Sequence, residues 1–95
     1  MSEAAGQERR EVHFSGRVQG VGFRYTARSL AQRFVVTGYV RNLHDGRVQI
    51  VVEGSADEVA RFIEAVQREM NAYIDQTQID RQSASGEFER FQIAH

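Results

Sequence analysis

The sequence contains no cysteine, which excludes disulfide bonds, thiolate nucleophiles and thiolate metal ligands. No apolar run approaches the roughly 20 residues that a membrane-spanning helix requires. The first ten residues are polar and lack the apolar segment of a signal peptide. The formal net charge is −1, so no bulk electrostatic attraction to nucleic acid or to an anionic membrane is expected. These absences predict a cytoplasmic protein that binds neither.

The 95 residues suffice for one domain with a single core. Hydrophobic residues make up 41% of the chain and charged residues 26%, as in ordinary soluble domains. Residues 1–9 are small, polar or charged, with nothing to bury, and we predict a disordered tail there. Residues 10–95 form the predicted domain.

The spacing of apolar residues predicts two amphipathic helices, one over about 24–34 and one over about 56–70. The second helix begins with the pattern of a capping box, in which Ser55 is the N-cap and Glu58 is the third helical residue.

Alternating apolar and polar residues predict the strands of the domain, at 11–18, 38–43, 47–53, 74–82 and 88–93. Asp45-Gly46 predicts a hairpin turn between the second and third strands. In the 74–82 strand, Ile79 is the expected inward-facing residue. The order β-α-β-β-α-β with a short final strand is the ferredoxin-like split βαβ pattern. This is an α+β fold with two helices on one face of a mostly antiparallel sheet.

Three glycines, at positions 16, 20 and 22, lie between the first strand and the first helix. Glycine accepts positive φ, so the backbone can point several N–H groups at one spot. Such a nest at a helix N-terminus binds anions. Arg24, at the start of the helix, can hold the same anion with two parallel hydrogen bonds. From these residues alone, a phosphate cradle and a plain tight turn with an exposed arginine both stay open.

Asn42 is the second candidate, because it lies just before the predicted hairpin turn. An amide there can hold a water molecule, or it can make the local hydrogen bonds of a turn. The histidines, at 13, 44 and 95, are far apart and lack metal-ligand spacing. We therefore expect no metal and no cofactor.

Three segments strongly resemble the acylphosphatase family: VQGVGFR from Val18 to Arg24, GYVRN from Gly38 to Asn42, and DGRV from Asp45. The similarity extends from about residue 10 to the end of the chain. The resemblance implies metal-independent hydrolysis of the carboxyl–phosphate bond of small-molecule acylphosphates. It also implies that inorganic phosphate is a product and an inhibitor, and we expect a monomer.

The resemblance also implies roles for individual residues. Arg24 would bind the phosphoryl oxygens through its side chain, and Asn42 would position the attacking water. The backbone N–H groups that would bind the phosphoryl group belong to the loop residues Gln19, Gly20, Val21, Gly22, Phe23 and Arg24.

Among the departures from the family pattern, Val35 stands where the family usually has glycine. A β-branched residue is a poor left-handed helix cap, so either the helix ends differently or strain is stored.

Two other functions share the predicted fold. One is a non-catalytic acylphosphatase-like module of a larger carbamoyl-transfer protein. The other is an RNA-binding sheet, although the 47–53 strand lacks the aromatic residues that such a sheet needs.

Overall fold

The computed structural model describes residues 7–95, which form one five-stranded sheet and two α-helices. Along the chain these are β1 (Gln7–Gly16), α1 (Phe23–Ala31), β2 (Val36–Asn42), β3 (Val48–Ser55), α2 (Ala56–Glu69), β4 (Ile74–Ser83) and β5 (Phe91–Ile93). A short 3₁₀ turn, Asn71–Tyr73, joins α2 to β4.

The strand order across the sheet is β4-β1-β3-β2-β5. Neighbouring strands are antiparallel except β2 and β5, which run parallel. The element order and the mostly antiparallel sheet confirm the predicted ferredoxin-like α+β fold. This topology places β1 and β3 at the centre and brings the loop after β1 close to the end of β2.

The core lies between the helices and one face of the sheet. Each side chain fully buried there contributes about 1.5–3 kcal/mol from the removal of apolar surface from water. Alternate residues of the central strands supply the sheet side, and one stripe of α2 supplies much of the helix side: Val12, Phe14, Val48, Ile50 and Val52 from the strands, and Val59, Phe62, Ile63 and Val66 from the helix.

The opposite face of β3 is buried as well, which its sequence pattern did not indicate. Gln49, Val51 and Glu53 are at most 6% exposed. The segment that follows β4 crosses over this face and hydrogen-bonds to β3 through Ser85 and Gly86. A central strand can therefore carry polar residues inside, provided that a covering segment supplies their partners.

Glu53 is the most heavily bonded of these residues. Its Oε2 accepts hydrogen bonds from the backbone N–H of Ser85 (2.9 Å), the Ser85 hydroxyl (2.8 Å) and Nη1 of Arg9 (3.3 Å). Its Oε1 accepts one from the backbone N–H of Gly86 (2.9 Å). Burial raises the pKa of Glu53, but these hydrogen bonds outweigh it, so the pKa lies below its ordinary value of 4.5.

The predicted N-terminal tail is too long, because β1 begins at Gln7. Gln7, Glu8 and Arg9 pair with Ser55, Gly54 and Glu53 of β3 in the antiparallel register. The charged sequence hid this strand, since long side chains can bury their stems while their charged ends find partners. The rest of the predicted tail, residues 1–6, lies outside the described residues.

Val35 does not adopt a left-handed conformation; within residues 7–95, every residue with positive φ is a glycine. Helix α1 ends at Ala31, three residues before the predicted end, and the chain tightens into a turn. The backbone N–H groups of Arg33 and Phe34 donate to the carbonyls of Leu30 and Ala31. The helix thus ends without a glycine cap, and no strain is stored at Val35.

The predicted capping box of α2 is half formed. The Ser55 hydroxyl accepts the backbone N–H of Glu58 at 3.2 Å. The Glu58 carboxylate does not bond back to Ser55; it accepts the backbone N–H of Val35 at 2.7 Å. Glu58 therefore fixes the chain that enters β2, a long-range contact that the local pattern did not predict.

Ile79 lies on the inner face of the sheet, as predicted, but it is 43% exposed and not part of the buried core. It lies opposite the fully buried Val12 and shares its face of the sheet. However, β4 is the edge strand, and most of its side chains remain exposed. Alternation sets the face on which a side chain lies, but cover by a helix decides whether it is buried.

Candidate phosphate-binding site

The loop between β1 and α1 is shaped by two glycines in the left-handed region. Gly20 has φ of 79° and Gly22 has φ of 78°. A Cβ atom added at either position would meet no heavy atom within 4 Å. The requirement for glycine is therefore conformational, since residues with a Cβ adopt this region only at a cost.

The loop ends at the N-terminus of α1. Gly22 is the N-cap and has no side chain to cap the helix, and the first turn contains no acidic residue. The first intrahelical bond joins the N–H of Thr26 to the carbonyl of Gly22 at 3.0 Å. The N–H groups of the first turn have no acceptors within the helix, and the helix dipole favours negative charge there. This end of α1 is suited to an anion.

Two buried side chains hold the loop in place. Val18 is fully buried and Phe23 is 2% exposed. The ring of Phe23 packs against that of Phe14 of β1, with 5.1 Å between ring centroids. The loop backbone is thus anchored at both ends in the core, so its shape exists before any ligand binds.

A cavity of about 100 Å³ opens at this loop. Drug-sized ligands occupy pockets of roughly 300–1,000 Å³, so this one suits a small group. It brings Arg24 and Asn42 together, although they are far apart in sequence. The lining residues are Val18, Gly20, Gly22, Phe23, Arg24, Tyr25 and Asn42.

Of the predicted site residues, Gly20, Gly22, Phe23, Arg24 and Asn42 line the cavity, whereas Gln19 and Val21 do not.

Tyr25 lines the cavity and was not among the predicted site residues. Its side chain is 64% exposed, and the guanidinium of Arg28 lies 5.6 Å from the centre of its ring. Tyr25 directly follows Arg24 in the first turn of α1, and this position in the sequence could have indicated that it belongs to the site.

Arg24 and Asn42 bring a guanidinium and an amide to the cavity. Within the described residues, Arg24 forms no ion pair, and neither Arg24 nor Asn42 forms a side-chain hydrogen bond to another residue. Both are half-buried. A guanidinium and an amide beside free N–H groups offer donors to an oxyanion, and the amide also offers an acceptor to water.

The turn between β2 and β3 directly follows Asn42 and is held by several hydrogen bonds. The N–H of Leu43 donates to the carbonyl of Arg47 at 2.8 Å, and that of Gly46 donates to the carbonyl of Leu43 at 3.2 Å. Asp45 accepts the backbone N–H of Arg47 at 3.1 Å and its guanidinium Nε at 2.8 Å. The backbone bond from Arg47 is the largest cause that lowers the pKa of Asp45, and the guanidinium adds to it against the opposing effect of desolvation.

Gln19 connects this turn to the glycine loop. Its side-chain Nε2 donates to the carbonyl of Leu43 at 2.8 Å and to that of Arg47 at 3.0 Å. The sequence analysis assigned Gln19 a role only through its backbone. The partners of its side chain lie 24 and 28 residues away, so no local pattern could have indicated them.

Within residues 7–95, no group of three or more histidine and acidic residues is arranged to hold a metal ion. None of the helices in this range is long and apolar enough to cross a membrane.

Comparisons with known proteins point to one family. The sequence profile of the Acylphosphatase family matches residues 10–93. An acylphosphatase of Syntrophobacter fumaroxidans is 40% identical over 88 residues, which cover 92% of this chain and 91% of that protein.

Among solved structures, the crystal structure of acylphosphatase from Bacillus subtilis has a TM-score of 0.84 at 30% identity. The match covers 93% of this chain and 99% of that one. The crystal structure of T. kodakarensis HypF has a TM-score of 0.79 at 31% identity, but the match covers only 12% of that longer chain.

The profile match takes in the glycine loop, Arg24 and Asn42, the same residues that meet at the cavity. Sequence and fold thus agree, and the chain belongs to the acylphosphatase family of enzymes, which hydrolyse acylphosphates.

Proposed function

We propose that the cavity at the N-terminus of α1 is the active site, in which Arg24 and the glycine loop bind the phosphoryl group and Asn42 positions water. The observation that carries the proposal is the single cavity that contains Arg24, Asn42 and the free end of the helix. Loop backbone N–H groups from Gln19 to Phe23 serve as donors to the phosphoryl oxygens.

In the reaction, the oxygen of the bound water attacks phosphorus while the bond from phosphorus to the acyl oxygen breaks. The acyl group leaves as a carboxylate, and the phosphoryl group becomes inorganic phosphate, with loss of a proton from the water. A carboxylate of ordinary pKa near 4 is stable at neutral pH, so the departing oxygen needs no proton donor.

Charge stabilisation and positioning are the two tasks left to the protein. Phosphoryl transfer passes through a loose transition state whose charge lies on the phosphoryl oxygens. The N–H groups of the loop and the guanidinium of Arg24 donate to the oxygens that carry this charge, and the anchored loop backbone has its shape before the reaction. The Asn42 amide lowers the entropic cost of bringing water into line.

Metal independence belongs to the same proposal. The cavity is lined by backbone groups, a guanidinium, an amide and apolar or aromatic side chains. Catalytic metal sites require carboxylate, imidazole or thiolate ligands, and the lining supplies none of these. Hydrolysis of benzoyl phosphate should therefore be unchanged by a chelator. Inorganic phosphate should inhibit competitively, because it carries the group that the loop recognises.

Two variants test the residue roles. Arg24→Ala should weaken phosphate binding and lower turnover by roughly a hundredfold or more, as for the loss of an oxyanion donor. Arg24→Lys should not restore activity, since an ammonium cannot make the planar two-pronged contact. Asn42→Ala should leave phosphate affinity nearly intact while turnover collapses, because Asn42 contacts only the water.

The measurements are steady-state rates with benzoyl phosphate and phosphate binding by calorimetry. Arg33→Ala and Asn71→Ala are matched controls, since both residues are exposed and lie outside the cavity. If Asn42→Ala lost phosphate affinity as severely as Arg24→Ala, or kept full turnover, the assignment of water positioning to Asn42 would be wrong.

A monomeric state and a cytoplasmic location stay predictions from the sequence. The first is tested by the mass of the protein in solution, for example by analytical ultracentrifugation.

A further inference from the structure

We propose that the side chain of Gln19 is a positioning residue, which holds the β2–β3 turn against the glycine loop and so sets the place of Asn42 relative to Arg24. The inference rests on the proposed function of those two residues. It gives the Gln19 side chain a role separate from phosphate binding.

The two hydrogen bonds of Gln19 use both protons of its amide nitrogen. They run to the backbone carbonyls of Leu43 at 2.8 Å and Arg47 at 3.0 Å. Carbonyl oxygens only accept, so the amide must present its nitrogen to them. The Gln19 side chain thus hydrogen-bonds to both sides of the hairpin turn, next to the end of β2 and the start of β3.

The turn that Gln19 contacts is also closed by hydrogen bonds of its own. The N–H of Leu43 and the Nε2 of Gln19 both donate to the carbonyl of Arg47. The Asp45 carboxylate adds two more bonds to Arg47 across the tip. Asn42 is the last residue of β2 and directly precedes Leu43, so a displacement of the turn displaces Asn42.

Asn42 has little else to hold its amide in place. Its side chain forms no hydrogen bond to another residue in the described chain, so its backbone position decides where the amide lies. β-Pairing with Val48 fixes that backbone on one side. Gln19 fixes the turn on the other side, from a loop anchored by the fully buried Val18.

This arrangement separates two steps of the reaction. Phosphate is bound by Arg24 and by the loop backbone, which the buried Val18 and Phe23 anchor in the core. Water is positioned by Asn42, whose place depends on the turn. Loss of the Gln19 amide should therefore lower turnover and leave phosphate affinity unchanged. A role confined to general stability would give no such split between the two quantities.

The experiment is a double-mutant cycle in the full chain with Gln19→Leu, Asn42→Ala and the two combined. Leucine removes both donors and leaves an apolar branched side chain, one bond shorter than that of glutamine. Gln19→Asn is the second variant, because its amide is one methylene too short to reach both carbonyls. Gln78→Leu is the matched control: Gln78 is exposed on the edge strand β4, away from the cavity.

Turnover of benzoyl phosphate by Gln19→Leu and Gln19→Asn should fall on the order of tenfold or more, the scale expected when a catalytic group is displaced by a fraction of an ångström to one ångström. The dissociation constant of inorganic phosphate should stay within about twofold, since its ligands are intact. In the Asn42→Ala background, Gln19→Leu should cause no further fall. Gln78→Leu should behave as the unmodified protein in every assay.

Equal losses of turnover from Gln19→Leu in the two backgrounds would overturn the inference, because Gln19 would then act independently of Asn42. A parallel loss of phosphate affinity would overturn it too, by assigning the side chain to the loop itself. Full turnover in Gln19→Leu with collapse in Asn42→Ala would overturn this inference alone. Full turnover in Asn42→Ala would overturn the proposed function along with it.

Discussion

Glu53→Gln removes the charge at the centre of the network that fastens the segment after β4 to the sheet. The carboxylate is 4% exposed and accepts four hydrogen bonds, three at Oε2 and one at Oε1. An amide can place its oxygen where Oε2 lies. Its NH₂ group then faces the N–H of Gly86, and two donors oppose each other.

The magnitude follows from these contacts. A buried N–H without an acceptor costs about 1–3 kcal/mol, and a hydrogen bond to a charged group contributes about 1.5–3 kcal/mol. Arg9 retains a second partner, Glu87, at 3.1 Å, which limits the loss. The glutamine side chain is uncharged, so its burial avoids the cost of desolvating a charge, which also limits the loss. We therefore expect Glu53→Gln to lower the free energy of unfolding by about 2–3 kcal/mol at neutral pH.

The effect should depend on pH in a defined direction. The pKa of Glu53 lies below its ordinary value of 4.5 in the folded chain, so its charge stabilises the fold fully above that value. As pH falls through 4.5 towards the folded pKa, the unfolded chain takes up the proton first and the contribution is lost. The difference in unfolding free energy between the unmodified protein and Glu53→Gln should shrink over this window.

Urea denaturation at several pH values measures this difference. Glu64→Gln is the control, because its carboxylate is 71% exposed and its ion pair with Arg68, at 3.9 Å, is a surface contact. Such a change should stay within about 0.5 kcal/mol. If Glu53→Gln were as stable as the unmodified protein, or if the difference were constant with pH, the hydrogen bonds of Glu53 would not outweigh its burial.

Two further predictions concern the backbone. Gly22→Ala should lower the unfolding free energy by about 1 kcal/mol through left-handed strain, and should also weaken phosphate binding in calorimetry. Gly86 has a similar φ of 74° and open space around it. Gly86→Ala should therefore lower the unfolding free energy by a similar amount and leave phosphate affinity unchanged. Equal losses of phosphate affinity in the two variants would contradict the phosphate-binding role of the loop. Val35→Gly should lower the unfolding free energy by about 0.4–1 kcal/mol, because glycine there only adds freedom to the unfolded chain. A rise in melting temperature would show that Val35 is strained.

Much of the fold and part of the site could be predicted because their causes are local. The helical stripes and strand alternation set which faces carry apolar residues, and they predicted all of the helices and strands to within a few residues at each end. Gly20 and Gly22 were predictable because the chain needs positive φ there whatever surrounds it. Arg24 belongs to the helix that this loop begins, so its proximity to the N–H groups also follows from the sequence.

Other features depend on neighbours that are distant in sequence. The charged start of β1 becomes a strand because β3 and Glu53 lie beside it, and Ile79 is exposed because its strand is at the edge. Val35 has an ordinary conformation because α1 ends in a tight turn without a left-handed residue, and Glu58 of another element accepts its N–H.

The meeting of Asn42 with Arg24, and the grip of Gln19 on the turn, arise in the same way. The sequence alone determined which groups the chain offers for catalysis. The tertiary structure decided their spacing, since side chains from a loop, a helix and a strand acquire a common geometry only when the fold brings those elements together.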